Sequence, residues 1–230
     1  MIIPYKKSLQ EKAKLKLIVN DDIYIRIITK NDVSLTYLNW LKDQEIMRFT
    51  EQNKKKHTLE STIIFVEEKF QSKFDFLFGI FLNNNHLGNI KLGPIDWEKR
   101  EAQISFFLGE KEFWGKGIMF KVIKKLLSFA FKTLRLIEIK AGYDKKNLAS
   151  AKIFEKCNFI ITKTLTKPTI DNPFMNPKIT DILDNPNKPP AFGRRRSKRS
   201  SISGSAMSSW GATTGGNTAA SIRRRRRPGD

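Results

Sequence analysis

The alternation of apolar and polar positions divides the first 165 residues into short, regular segments. "DIYIRIIT" at 22–29 alternates and is rich in β-branched residues, which predicts a first strand. "NDVSLTYLNWLKDQEIMRF" follows with helical spacing, Asp32 as N-cap and Leu35, Leu38, Trp40 and Leu41 as the apolar stripe. "HTLESTIIFVEEKFQSK" predicts a second helix, capped by Thr58, with Ile63, Ile64, Phe65 and Phe70 as buried candidates. "FDFLFGIFLNNNHLGNIKLGPID" reads as two strands around an Asn-rich turn. "EAQISFFLG" (101–109) is a further strand, then a glycine-containing loop and a helix from Lys116 to Thr133. A strand at 136–143, a helix at 147–157 and a strand at 158–165 complete the series. This order predicts a mixed α/β fold of α+β type, with helices flanking a largely antiparallel sheet.

The chain of 230 residues is 40% hydrophobic, which suits one core with extensions. Its net charge of +20 points toward polyanions until the distribution is considered. Residues 190–230 hold nine arginines and Lys198 against one acid, Asp230, whereas the first 165 residues contain only Arg26, Arg48, Arg100 and Arg135. The tail is otherwise Ser, Gly and Ala and is expected to be disordered. It reads either as a nucleic-acid-binding or targeting segment, or as a solvated extension, a fusion remnant or out-of-frame coding. The expected organisation is an N-terminal extension (1–20), a domain (21–167), a linker or poorly defined final segment (168–189) and the tail (190–230). "KITDIL" offers a weak further strand in the linker. The chain has no long apolar run and no signal-peptide pattern, so a cytoplasmic protein without a membrane partner is expected. One cysteine, Cys157, and two histidines, His57 and His86, predict neither disulfide nor metal; both histidines read as loop residues.

The segment "GEKEFWGKGIMFK" (109–121) carries the candidate chemistry. Five residues separate Gly109 from Gly115, and Gly117 follows Lys116, so neither the spacing nor the hydroxyl of a Walker loop is present. Phe120 stands where a dinucleotide fingerprint needs its third glycine. What fits is a strand, a tight glycine turn and a helix start, whose backbone N–H groups can hold an anion such as a pyrophosphate.

The turn Glu112-Phe-Trp-Gly115-Lys-Gly117, followed by Asn147, Ser150, Glu155, Lys156, Asn158 and Phe159, resembles the GNAT acetyltransferase superfamily over residues 21–165. The branch it resembles includes ribosomal-protein N-terminal acetyltransferases and acetyltransferases of amino sugars. The resemblance implies acetyl-CoA as co-substrate, with its pyrophosphate on the backbone of Trp114, Gly115, Lys116, Gly117 and Ile118. It places Phe106, Phe107 and Leu108 along the pantetheine arm, a backbone N–H near Leu108 as oxyanion donor, and Asn147 and Ser150 on the other side. Glu112 replaces the usual Gln or Arg, and Asn158 replaces a C-cap glycine while tolerating its left-handed conformation.

Two family positions are altered: Phe154 stands for a proton-donating tyrosine and Gln103 for a strand glutamate. Glu101, on the same strand face as Gln103, is the candidate base, with a rim carboxylate as the competing reading. Tyr143 is the candidate acid, with a packed strand-end aromatic as its alternative. Trp40, Arg48, Thr50 and Glu51 are candidates for an acceptor wall, and core packing competes for Trp40. The basic body favours an anionic acceptor such as a nucleotide-linked amino sugar, with a peptide amine also open. Two functions are carried forward: acetyl transfer to a primary amine of a small molecule, amino sugar or protein N-terminus, and RNA or DNA binding through the tail beside a degraded acyl-CoA-binding domain.

Overall fold

The computed structural model describes residues 8–165 and 219–227. Strands β1 (Lys16–Ile18), β2 (Ile23–Ile27), β3 (Phe76–Leu82), β4 (Asn85–Asp96) and β5 (Glu101–Leu108) are antiparallel neighbours in chain order. β6 (Glu138–Asp144) joins β5 in parallel, β8 (Ala219–Arg225) pairs with β6, and β7 (Ile160–Leu165) pairs with β8 at the outer edge. The mixed, largely antiparallel sheet expected from the sequence is therefore present, with eight strands among the described residues.

Among the described residues six α-helices accompany it: α1 (Leu9–Ala13), α2 (Leu35–Lys42), α3 (Gln44–Met47), α4 (Leu59–Gln71), α5 (Ile118–Ser128) and α6 (Leu148–Lys156). The continuous apolar run of β3 is buried along nearly its whole length, as a central strand covered on both faces must be. The β3–β4 hairpin turns at Asn83 and Asn84, whose φ values of 48° and 68° explain the run of asparagines. On one face α5 buries Ile118, Met119, Val122, Ile123, Leu126 and Leu127 and turns its lysines outward. On the other face Tyr37, Trp40, Leu41 and Val66 pack on Leu77, Phe81 and Phe107. α6 is capped by Cys157 and followed by Asn158 at φ 59°, the left-handed conformation common just past a helix C-cap.

Several local expectations change. Ser34, not Asp32, caps α2 by accepting the Tyr37 N–H at 3.1 Å; Asp32 instead binds Arg26 and the Thr29 N–H. Leu35 therefore lies in the exposed first turn. Thr58 does cap α4, but that helix buries Thr62, Val66 and Lys69 while Ile64 is exposed. Its inward stripe includes a lysine because Lys69 meets the buried Asp75 at 3.5 Å. Lys91 approaches the same carboxylate at 3.6 Å. Lys12, from α1, donates to the carbonyls of Lys69, Ser72 and Asp75 at 3.0, 2.6 and 2.8 Å and so closes the C-terminal end of α4. His86 is a half-buried residue of β4, stacked on Phe81, rather than a loop residue; its Nε2 lies 2.9 Å from Asn89 Oδ1. His57 lies just before α4, with its Nε2 2.9 Å from the Gln52 carbonyl.

Both ends of the expected domain also move. Residues 9–13 are helical and 16–18 are a strand, so this part of the expected extension belongs to the fold. Residues 219–227, read as disordered tail, supply β8 and the residues just after it. Ile222 inserts into the core, Arg225 Nε donates to Glu138 Oε2 at 3.0 Å, and the Arg224 guanidinium lies over the Phe131 ring. An arginine run forms a strand here because one buried acid and one aromatic face receive its side chains. The linker, with "KITDIL", and residues 190–218 lie outside the described residues.

Candidate active site

β5 and β6 pair only over Glu101–Gln103 and Glu138–Lys140. Beyond this, β5 stays with β4 to Leu108 while β6 stays with β8 to Asp144, and the two strands part. A cleft of about 520 Å³ opens there, walled by the end of β5, the turn at 113–117, the starts of α5 and α6, and the segment from Glu45 to Thr50.

Strand register decides which backbone groups face the cleft. The Gly109 N–H donates to Leu87 O at 2.7 Å, so odd-numbered residues of β5 direct their polar groups to β4 and even-numbered ones toward the β6 side. Where β6 has diverged, Phe106 and Leu108 present theirs to the cleft. The Leu108 carbonyl accepts the Trp114 indole N–H at 2.9 Å, which ties the glycine turn to the strand end. Phe107, expected along the cofactor arm, also borders the cleft, but it turns its backbone to β4 and packs its ring with Tyr37 and Trp40 on the opposite face.

The turn then builds an anion cradle. Gly115 and Gly117 have φ 77° and 76°, and a Cβ at either position would meet nothing within 4 Å, so the backbone conformation selects glycine and open space lies beside it. Gly117 is the N-cap of α5 and offers no capping side chain, whereas α2, α4 and α6 are capped by Ser34, Thr58 and Asn147. The first N–H groups of α5, beginning at Ile118, are thus left to an external acceptor. Lys116 is exposed, with its ammonium 4.9 Å from the Phe113 ring centroid. Across the cleft Asn147 and Ser150 are both on the wall, and Asn147 Oδ1 accepts the Ser150 N–H at 3.1 Å. This donor set suits the pyrophosphate and extended arm of acetyl-CoA.

The expected acid and base are not brought to this place. Glu101 sits at the closed end of the fork, 2.6 Å from Lys140 Nζ. Seven residue-to-residue steps of strand, at about 3.3 Å each, separate it from Leu108. Tyr143 packs behind Phe154, with ring centroids 6.0 Å apart, and burial, together with the nearby Glu155, raises its pKa. Phe154 itself forms the wall against Phe106. Trp40 is 5% exposed and lies in the core beneath Gly109, where a Cβ would collide with the indole; its Nε1 donates to Glu110 at 3.2 Å. Arg48 and Thr50 do reach the cleft wall, whereas Glu51 starts the short helical turn after Thr50 and lies 4.0 Å from Lys54 Nζ.

Residues that sequence reasoning missed include Glu45, Phe49 and Ser105, all on the cleft wall. Lys111 binds Asp43 at 2.8 Å and Glu45 at 2.6 Å, fastening α3 to the loop after β5. This pairing holds the Asp43 carboxyl below its ordinary pKa and the Lys111 ammonium above its own. The glycine-turn pattern gave no sign of the α3 wall, because that wall is assembled by contacts distant in sequence.

Residues 22–160, which include the fork and the glycine turn, match the family described as the acetyltransferase (GNAT) domain. The chain belongs to the GNAT acetyltransferase family. Among curated relatives, "Probable N-acetyltransferase YjcK" of Bacillus subtilis (strain 168) is 32% identical over 96 residues. That alignment spans 40% of this chain and about half, 52%, of the relative. A Salmonella typhimurium acetyltransferase that modifies the N-terminal serine of ribosomal protein L7/L12 shares the GNAT fold at TM-score 0.65 and 14% identity, over 93% of this chain and all of that one. The spermidine N-acetyltransferase of Vibrio cholerae, solved with CoA and spermine, superposes at TM-score 0.58 and 20% identity, over 65% of this chain and 87% of that one. As a GNAT acetyltransferase the domain is an acyltransferase that uses acetyl-CoA, in keeping with the cradle and fork. Among the described residues no cluster of three His, Cys, Asp or Glu could hold a metal, and no helix is long and apolar enough to cross a membrane.

Proposed function

We propose that the protein transfers the acetyl group of acetyl-CoA to a primary amine by direct attack. The observation that carries this reading is the fork between β5 and β6 with the uncapped start of α5 at its mouth. The α5 N–H groups and Gly115–Gly117 would hold the pyrophosphate, Phe106 and Leu108 the extended arm, and the Leu108 N–H the thioester oxygen. Bound acetyl-CoA supplies an activated acetyl carbon; the protein supplies orientation and a dry cleft. Glu45, engaged by Lys111, is the carboxylate on the cleft wall, so the amine would lose its proton through water rather than to Glu101. Phe154 has no proton to give, and the Ser150 hydroxyl is the candidate donor to the departing sulfur.

The acceptor is the finer part of the proposal. Arg48 brings a guanidinium, stacked on Phe49 at 4.7 Å, to the α3 side of the cleft. A cation there favours an amine that also carries a carboxylate or phosphate, such as an amino-sugar phosphate or a peptide, over a polyamine. Within β8 three of the arginines are engaged by the fold rather than offered to a nucleic acid, since Arg223 and Arg225 face Glu138 and Arg224 lies over Phe131. Calorimetric titration of the full chain with acetyl-CoA, CoA and ATP tests the core of the proposal. Binding of both CoA species but not ATP supports it, and a folded protein that binds none of them overturns it.

A further inference from the structure

Ser105 lies in β5 between Ile104 and Phe106, just past Gln103 where the pairing with β6 ends, and it lines the cleft. Strand alternation turns its side chain to the same face as Phe107, away from α5 and α6 and toward the half of the cleft walled by α3. Its partner across the ladder, Lys91, directs its ammonium to Asp75 and not to this hydroxyl. The Ser105 Oγ is consequently buried with no hydrogen-bond partner among the described residues. No other described residue on the cleft wall carries such an atom. A buried hydroxyl left unpaired is worse for folding than a methyl group, so this one calls for a partner that arrives from outside the fold.

We propose that Ser105 is a positioning residue for the acceptor, with Oγ accepting a hydrogen bond from the attacking amine. The hydroxyl is on the α3 side of β5, while the Phe106 and Leu108 backbone groups that would hold the acetyl thioester lie within the same strand segment. An amine bonded to Oγ has its lone pair left free to face the acetyl carbon. As the N–C bond forms and the C–S bond breaks, the nitrogen gives one proton to water and the sulfur takes one up. Ser105 abstracts no proton, since an unassisted hydroxyl is too weak a base; its part is orientation. This inference rests on the acetyltransferase reading above.

Hydroxylamine is the smallest amine probe and needs no knowledge of the natural acceptor. Acetohydroxamate formation from acetyl-CoA and hydroxylamine is measured with the full-length protein, alongside calorimetry of acetyl-CoA binding. The wild type is expected to accelerate the reaction over buffer, and Ser105→Ala to lower kcat/KM for hydroxylamine about five- to tenfold. Ser105→Ala should keep the acetyl-CoA affinity and a thermal midpoint at least as high as wild type, and Ser105→Thr should recover most of the rate. Wild-type rates in Ser105→Ala overturn the proposal, as does a wild type that binds acetyl-CoA without accelerating the reaction. Loss of acetyl-CoA binding in the wild type would instead remove the acetyltransferase reading on which the inference stands.

Discussion

Glu101 and Lys140 meet at 2.6 Å across the short stretch where β5 and β6 are joined. The pair closes the fork at the end opposite Leu108, which separates this carboxylate from the chemistry by most of the length of β5. Glu101→Gln is therefore expected to leave turnover within about twofold of wild type, with little change in stability, because the pair is partly exposed. Steady-state kinetics with the amine the protein acetylates best would check this, and a large fall in kcat would return Glu101 to the catalytic group.

Gly117 combines φ 76° with empty space around its Cβ position. Gly117→Ala should cost about 1 kcal/mol of stability through its backbone alone, because the left-handed conformation disfavours any side chain. Gly117→Arg would also fill the cradle, and acetyl-CoA binding should be abolished. Denaturant unfolding separates the first effect from the second, which calorimetry reads directly.

Burial of Lys12 and Lys91 lowers their pKa from 10.5 to about 8, an effect opposed by Asp75 and reinforced by Lys69. Between those two values the unfolded chain holds protons that the folded chain has released, so stability should rise with pH from about 8 toward 10.5. Below about 8 both states are protonated at these sites and the cost of the buried charges is carried in full. Lys91→Met, which leaves Asp75 paired with Lys69, should raise stability at pH 7 by about 1 kcal/mol or more and flatten the rise. Urea unfolding at pH 7.5 and 9.5 would show both effects, and an unchanged slope in Lys91→Met would contradict the assignment.

Ile222 buries its side chain within β8, between β6 and β7. Ile222→Ala should destabilise the protein by about 2 to 5 kcal/mol. Removing residues 219–227 should cost more, since it exposes the β6 and β7 ladders and leaves Glu138 buried without Arg223 and Arg225. Thermal melts followed by circular dichroism distinguish these outcomes from a tail that contributes nothing.

The parts of the fold written in local pattern were legible. Alternation in 22–29, the asparagine turn at 83–85 and the glycine turn before α5 each follow from backbone preferences that a few residues express on their own. What was hidden depends on partners far along the chain. "AASIRRRRR" has the composition of a solvated tail and becomes a strand only because Glu138 and Phe131 accept its side chains. Glu101 shares a strand face with Gln103, yet its distance from the cleft is set by where β6 stops pairing, which the sequence of β5 does not encode. Trp40 and Arg48 read as one helical run in the sequence, whereas the chain breaks at Asp43 into α2 and α3, and tertiary packing sends the first into the core and the second to the cleft. Ser105 gave no sequence signal, because an unpaired hydroxyl can be seen only once its surroundings are known.

The slot between β6 and β7 has a consequence for synthesis. Both strands emerge from the ribosome well before Ala219 does, and neither can complete its ladder until Ala219–Arg225 arrives. During that interval the half-built sheet presents two adhesive edges, and the final strand must thread into a gap rather than add to a rim. Closing such a gap is a long-range step, slow compared with forming the β3–β4 hairpin. The yield of native protein is thus set by how long the β6 and β7 edges stay apart from other chains while they wait.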